Sequence, residues 1–204
     1  ITLGGKTYID GVDITPDDIY AHHDKTGELP KTSATNVGEC LDFFRKFTES
    51  GKTVIHFTIS SEMSSTYANA CLAAEELENV YVINTENLST GGGLLVLAAA
   101  QMREDGLSAE EIVEKTKALV PCVDASFVID SLEYLYKGGR CSALAMFGAN
   151  LLKLKPCIQV KNGKMDVAKK YRGKYDEVLK QYIREKITDY SDIVLDRVFI
   201  THAG

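Results

Sequence analysis

Two hydroxyl-rich segments carry the residue types best suited to hold an anion. Ser60-Ser61-Glu62-Met63-Ser64-Ser65-Thr66-Tyr67 follows an apolar, β-branched run and leads into a helical pattern. In an open α/β sheet, ligands bind outside the carboxyl ends of the strands, which is where this segment falls. If Ser64 begins the next helix, the first N–H groups of that helix have no partner within it. Several hydroxyls then stand beside the positive end of its dipole, and a carboxylate or phosphate is well served there. Ordinary helix capping accounts for a serine at the same place just as simply. Pro30-Lys31-Thr32-Ser33-Ala34-Thr35-Asn36 is a second turn of this kind, and taken alone it reads as capping chemistry.

Other chemistry is poorly supported. Gly91-Gly92-Gly93 lacks both the GxxxxGK[ST] and the GxGxxG spacing and leads into a small-residue helix, so close helix packing is the better reading. Gly138-Gly139-Arg140 puts a guanidinium after a flexible turn, either as a surface residue or as an inter-domain or ligand contact. His22, His23, His56 and His202 are too scattered for a metal site, and His56 sits mid-strand, where packing is the usual explanation. The five cysteines, Cys40, Cys71, Cys122, Cys141 and Cys157, are odd in number and have no CxxC spacing. They read as small buried hydrophobes in a reduced cytoplasm. A Ser-His-Asp hydrolase drawn from Ser64 and His202 lacks the Gly-x-Ser-x-Gly elbow of that class.

The elements that must position these residues can be traced in order. Leu3-Gly4-Gly5-Lys6 predicts two short extended pieces around a Gly-Gly turn, and Thr15-Pro16 begins a short helix that Leu29-Pro30 follows. Asn36 with Glu39 makes a capping box ahead of Val37, Leu41, Phe44 and Phe47, with Gly51 as the stop. Strands at 53–59 and 80–83 and helices at 64–77 and 89–104 then alternate, and Ser108 with Glu111 caps a further helix. A strand at 123–129 follows. These units predict an open parallel sheet.

The pattern changes near residue 131. Short helices at 132–136 and 142–152 precede a hairpin at 157–168, whose Asn162-Gly163 dipeptide predicts a type I′ turn. A helix at 175–187 and a strand at 197–201 complete the chain. The fold class read from this order is α/β in two domains: residues 1–130 form a parallel-sheet domain bearing the hydroxyl turns, and 131–204 a smaller α+β domain.

Composition sets limits on function. Of the 204 residues 45% are hydrophobic, enough for a globular core, and no run approaches the roughly 20 apolar residues of a membrane span. The net charge of −6 argues against general affinity for nucleic acid or anionic membranes. Residues 153–186 depart from this, with eleven Lys and Arg against four acidic residues, and predict a local basic surface. The chain opens at Ile1 without a basic and apolar leader, so nothing marks it for secretion.

Several segments together resemble the DegV family of bacterial fatty-acid-binding proteins. These are Leu29-Pro30-Lys31-Thr32-Ser33, the Ser60 to Tyr67 segment with Ile59 before it, Gly91-Gly92-Gly93, Leu132-Glu133-Tyr134-Leu135-Tyr136-Lys137-Gly138-Gly139-Arg140, Leu152-Lys153-Leu154-Lys155-Pro156 and His202-Ala203-Gly204. They occur in family order across nearly the whole chain. The resemblance implies an α/β domain on a second α+β domain, with a long-chain fatty acid in an apolar tunnel. It implies that Thr32 and Ser64 hold the carboxylate, that the N–H of Ser65 adds a bond, and that Arg172 lies near the tunnel mouth. It further implies no cofactor, no catalytic residue and a cytoplasmic carrier. That carrier presents the carboxylate to a separate ATP-dependent fatty acid kinase, without nucleic-acid binding or stable membrane insertion. A serine-dependent acyl hydrolase and a regulatory module with incidental lipid are the alternatives.

Three departures accompany the resemblance. Ser65 stands where the family usually has Gly, and Ala34-Thr35 replace a more usual Gln-Pro. Family members also begin with a further strand bearing an acidic-Ser pair and end with a Gly-Pro-Gly segment, so the chain is expected to be a fragment.

Overall fold

The computed structural model describes residues 1–141, 155–188 and 191–202. The chain divides into two compact units, 1–35 and 36–204.

In the first unit β1 (Thr2–Leu3) and β2 (Lys6–Thr7) pair antiparallel around Gly4 and Gly5. Those glycines have φ of 57° and 76°, the left-handed pair that a two-residue hairpin turn requires. α1 (Pro16–Thr26) starts as the sequence predicts, with a reciprocal capping box between Thr15 and Asp18 and Pro16 at its first position. Beyond it, Lys31 exchanges backbone hydrogen bonds of 2.7 and 2.9 Å with Thr2 and fixes the start of the Thr32 segment beside β1.

The second unit opens with α2 (Val37–Thr48), where Asn36 and Glu39 close both bonds of the capping box at 2.9 Å. β3 (Val54–Thr58) and β4 (Val80–Asn84) are parallel, in register from Val54 opposite Val80 to Thr58 opposite Asn84. α3 (Thr66–Ala74) connects them. Phe44 and Cys40 of α2 pack with Ala70 and Ala73 of α3, against Val54, Val80 and Val82. The His56 ring stands edge-on to Phe44 with centroids 5.1 Å apart, a packing role as its mid-strand position predicts. α4 (Ser89–Glu104) and α5 (Ala109–Leu119) follow, α5 with the Ser108–Glu111 capping box. Of the glycines opening α4, Gly91 serves packing, since a Cβ there would lie 2.1 Å from the Asn87 side-chain oxygen, whereas one on Gly93 would meet nothing within 4 Å.

β5 (Ser126–Val128), β6 (Lys155–Lys161) and β7 (Lys164–Tyr171) form an antiparallel sheet in the order β5-β6-β7. The strand expected at 123–129 therefore does not extend the parallel sheet. Its alternation marks it as extended but carries no information about the direction of its neighbour, and β6 supplies an antiparallel partner. The β6–β7 turn is the expected one, with φ of 50° at Asn162 and 75° at Gly163. α6 (Glu133–Gly138) precedes this hairpin and α7 (Tyr175–Thr188) follows it. Val178 of α7 packs with Val128, Cys157 and Tyr171. Tyr175 and Tyr182 donate to the carbonyls of Val128 and Ser126 at 3.0 and 2.8 Å.

Two expectations near the chain's end differ in outcome. The helix expected at 142–152 lies outside the described residues. The strand expected at 197–201 is replaced by a 3-10 turn, Leu195–Arg197, and an irregular continuation. Val198, Phe199 and Ile200 have the β-branched and aromatic character of a strand but remain largely exposed and join none of the sheets. β-propensity without a partner strand does not make a sheet.

Candidate functional site

The carboxyl ends of β3 and β4 are tied together by side chains. Asn84 accepts from the Ser61 N–H at 3.1 Å and returns a bond from its amide to the Ser61 hydroxyl at 2.9 Å. Thr85 donates its hydroxyl to the Thr58 carbonyl at 2.8 Å. The Asn87 carbonyl accepts from the Ser60 N–H at 2.9 Å. Short polar side chains suit this edge, where strand backbone groups leave the ladder and need partners.

The hydroxyl turn is built on Ser60, which is fully buried. Its carbonyl accepts from the N–H groups of Met63 and Ser64 at 3.0 and 3.2 Å, closing one turn ahead of α3. Its hydroxyl donates to the Gly163 carbonyl at 2.7 Å and accepts from the Glu62 N–H at 3.2 Å. The turn therefore rests on the tip of the β6–β7 hairpin. Glu62 adds an ion pair with Lys164 at 3.0 Å, and Met63 packs against a core of Leu132, Cys141, Ile158 and Met165.

Ser64 is not the N-cap of α3, contrary to the expected helix start. Helical residues begin at Thr66, and Ser65 is the N-cap, with φ −75° and ψ 1° and no side-chain bond to the helix. The turn closed by the Ser60 carbonyl occupies the residues ahead, so the helix starts two positions later. Ser64 Oγ lies 2.8 Å from the Thr66 hydroxyl and accepts from the Thr66 N–H at 3.2 Å. Two hydroxyls carry two protons and the bond between them uses one, which leaves an O–H donor for an outside acceptor. With the start of α3 alongside, the arrangement favours an anionic oxygen.

Of the other predicted residues, Ser65 is exposed next to Ser64, and Arg172 is exposed directly after β7. Thr32 is exposed one residue beyond the Lys31–Thr2 pairing and belongs to the 1–35 unit. Sequence reasoning missed Ser60, Glu62 and Lys164. The signal available was only a run of serines, because the partner of Ser60 lies 103 residues away.

The basic stretch is less basic in space than in sequence. Lys169 pairs with Glu185 at 2.8 Å, Lys186 with Asp124 at 2.8 Å and Lys180 with Glu177 at 3.3 Å, and Asp130 and Glu62 take Lys155 and Lys164. Bonds from Lys169, Tyr171 and Gln181 hold the Glu185 carboxyl down at about 2. Lys161, Arg172, Lys174 and Arg184 are exposed. Cys40, Cys141 and Cys157 are buried, and burial pushes the Cys40 and Cys157 thiols up, away from reactivity. Among the described residues no cluster of His, Cys, Asp and Glu is placed to hold a metal ion, and no helix is long and apolar enough to cross a membrane.

Apolar surface is present in the same unit. Leu94, Leu97 and Gln101 of α4 face Arg197, Val198 and Phe199 across a groove of about 290 Å³. The Thr90 and Thr201 hydroxyls meet at 2.9 Å.

Comparison with known proteins agrees with this architecture. The family model described as "Uncharacterised protein, DegV family" matches residues 1–204. A DegV domain-containing protein of Clostridium acetobutylicum is 37% identical over 175 residues, covering 85% of this chain and 63% of the relative. The chain thus spans somewhat less than two thirds of that relative's length. A stearic acid-binding protein from Eubacterium ventriosum matches with a TM-score of 0.76 at 34% identity, over 91% of this chain and 68% of that one. The fatty-acid-binding DegV family protein from Thermus thermophilus matches with a TM-score of 0.78 at 31% identity, over 89% and 66%. A match along the whole sequence, together with agreement in fold, settles the lineage: the chain belongs to the DegV family.

Proposed function

We propose that the chain binds a long-chain fatty acid and holds its carboxylate at the Ser64 hydroxyl and the Ser65 N–H. The family resemblance adds Thr32 as a proposed ligand and Arg172 as the proposed cation near the entrance. The observation that carries the reading is the Ser64–Thr66 hydroxyl pair at the carboxyl end of β3, with an O–H donor to spare. The fatty-acid-binding relatives of the same fold support the choice of ligand.

Energetics divides the labour. Burying about 15 methylenes contributes on the order of 12 kcal/mol before entropic costs, at roughly 0.8 kcal/mol each. A hydrogen bond to the carboxylate adds about 1.5 to 3 kcal/mol. The hydrocarbon supplies affinity and the hydroxyls set position. The protein performs no bond chemistry in this reading. It is a cytoplasmic carrier that offers the carboxylate to an ATP-dependent fatty acid kinase, and the exposed Arg172 and Lys174 suit an acidic docking partner.

Mass spectrometry after denaturation is the test. A carrier releases close to one equivalent of a saturated or monounsaturated fatty acid per chain. A chain that releases none, and takes up none when hexadecanoic acid is added, is not a carrier.

A further inference from the structure

Ser60 and the hairpin tip do more than fill space beneath the hydroxyl turn. Ser60 meets three separate segments through its three polar groups. Its N–H reaches Asn87, its carbonyl holds the Met63 and Ser64 amides, and its hydroxyl reaches Gly163 across 103 residues of sequence. Gly163 fits only as glycine. Its φ is +75°, and a Cβ there would stand 2.6 Å from Ser60 Oγ and 3.2 Å from the Glu62 side chain. The Glu62–Lys164 ion pair at 3.0 Å makes a second tie one residue further along the hairpin. The bond from the Ser64 N–H to the Ser60 carbonyl at 3.2 Å ties the Ser64 backbone to this anchor, while Thr66 orients its hydroxyl.

We propose that Ser60 is a positioning residue for head-group selection. Through Gly163, and with Glu62–Lys164 as a weaker second tie, it makes the β6–β7 hairpin set where the Ser64 hydroxyl stands. The proposal rests on the carboxylate reading of Ser64. Its consequence is that displacement of the hairpin tip loosens the grip on the carboxylate and leaves the hydrocarbon contacts as they are. The hairpin thereby becomes a place from which release can be controlled.

The test compares hexadecanoic acid with 1-hexadecanol, which share a chain and differ at the end the turn would hold. Titration of the full chain gives the ratio of the two affinities. Ser60→Ala removes the donor to Gly163 and is expected to lower the acid-to-alcohol ratio by about 10-fold while alcohol affinity stays within about 2-fold. Ser60→Thr, which keeps a hydroxyl, restores most of the ratio. Lys164→Met, at an exposed site that leaves the fold intact, lowers the ratio by about 2-fold, in keeping with the small worth of a surface ion pair. A merely structural Ser60 would weaken both ligands alike, and that result overturns the proposal. So does an unchanged ratio in Ser60→Ala and Lys164→Met beside a reduced ratio in Ser64→Ala, which leaves the carboxylate reading standing. Equal affinity of the unaltered chain for acid and alcohol overturns both.

Discussion

Helices α3 and α5 both have serine at the N-cap, and they use it differently. Ser108 at the start of α5 has extended backbone, φ −69° and ψ 162°, and its hydroxyl accepts from the Glu111 N–H at 3.3 Å while the Glu111 carboxylate accepts from the Ser108 N–H at 2.8 Å. Ser65 at the start of α3 has ψ of 1°, makes no such bond, and follows a Ser64 whose hydroxyl is engaged with Thr66. The first arrangement explains its serine completely by helix stability. In the second, Ser64 accepts from the first N–H of α3 at 3.2 Å, but Ser65 at the N-cap makes no side-chain bond to the helix and the Ser64–Thr66 hydroxyl pair keeps an O–H to spare. A residue type is therefore poor evidence of a site, whereas a cap that fails to cap is better evidence.

The largest effect that separates the two regions is on ligand affinity. Ser64→Ala is expected to weaken hexadecanoic acid binding by about 10-fold to 100-fold, the loss of one charge-assisted hydrogen bond, and titration calorimetry measures it directly. Equal affinity for variant and parent would remove Ser64 from the site. On stability the order reverses. Ser108→Ala is expected to cost about 1 kcal/mol in denaturant unfolding, while Ser65→Ala shifts it by no more than a few tenths, because only one of these side chains caps. A comparable loss at both positions would erase the distinction drawn here.

The smallest effect concerns pH, and it tests the α2–β3–α3 core beneath the turn. Burial against Phe44 lowers the His56 pKa below its ordinary 6.5. As pH falls, the unfolded chain takes up this proton before the folded one does. The contribution of His56 is fully present above pH 6.5 and is lost as pH drops through the folded value. Urea midpoints measured from pH 7.5 down to 5 should fall less steeply for His56→Phe than for the parent, and parallel curves would place His56 in a solvated setting.

Much of this architecture was legible because its signals are local. Asn36 with Glu39, Ser108 with Glu111 and Asn162-Gly163 each place partner residues within three positions, and the structure closes every one of them. The start of α3 was blurred by serines at 60, 61, 64 and 65, any of which could cap. What decided it was the Ser60 carbonyl closing a turn first. The direction of β5 and the absence of a strand at 198–201 depend on which partners are available, which periodicity does not encode. The buried role of Ser60 was invisible for the same reason, since Gly163 lies at the tip of a hairpin from a different sheet.

The central claim is that a fatty acid carboxylate sits at the Ser64 hydroxyl. Carbon-13 NMR of hexadecanoic acid labelled at the carboxyl carbon, bound to the parent chain, Ser64→Ala and Ser108→Ala, reports on that contact without relying on affinity. A bound resonance that moves in Ser64→Ala and keeps its parent position in Ser108→Ala is the expected result, and one that is the same in all three would contradict the account.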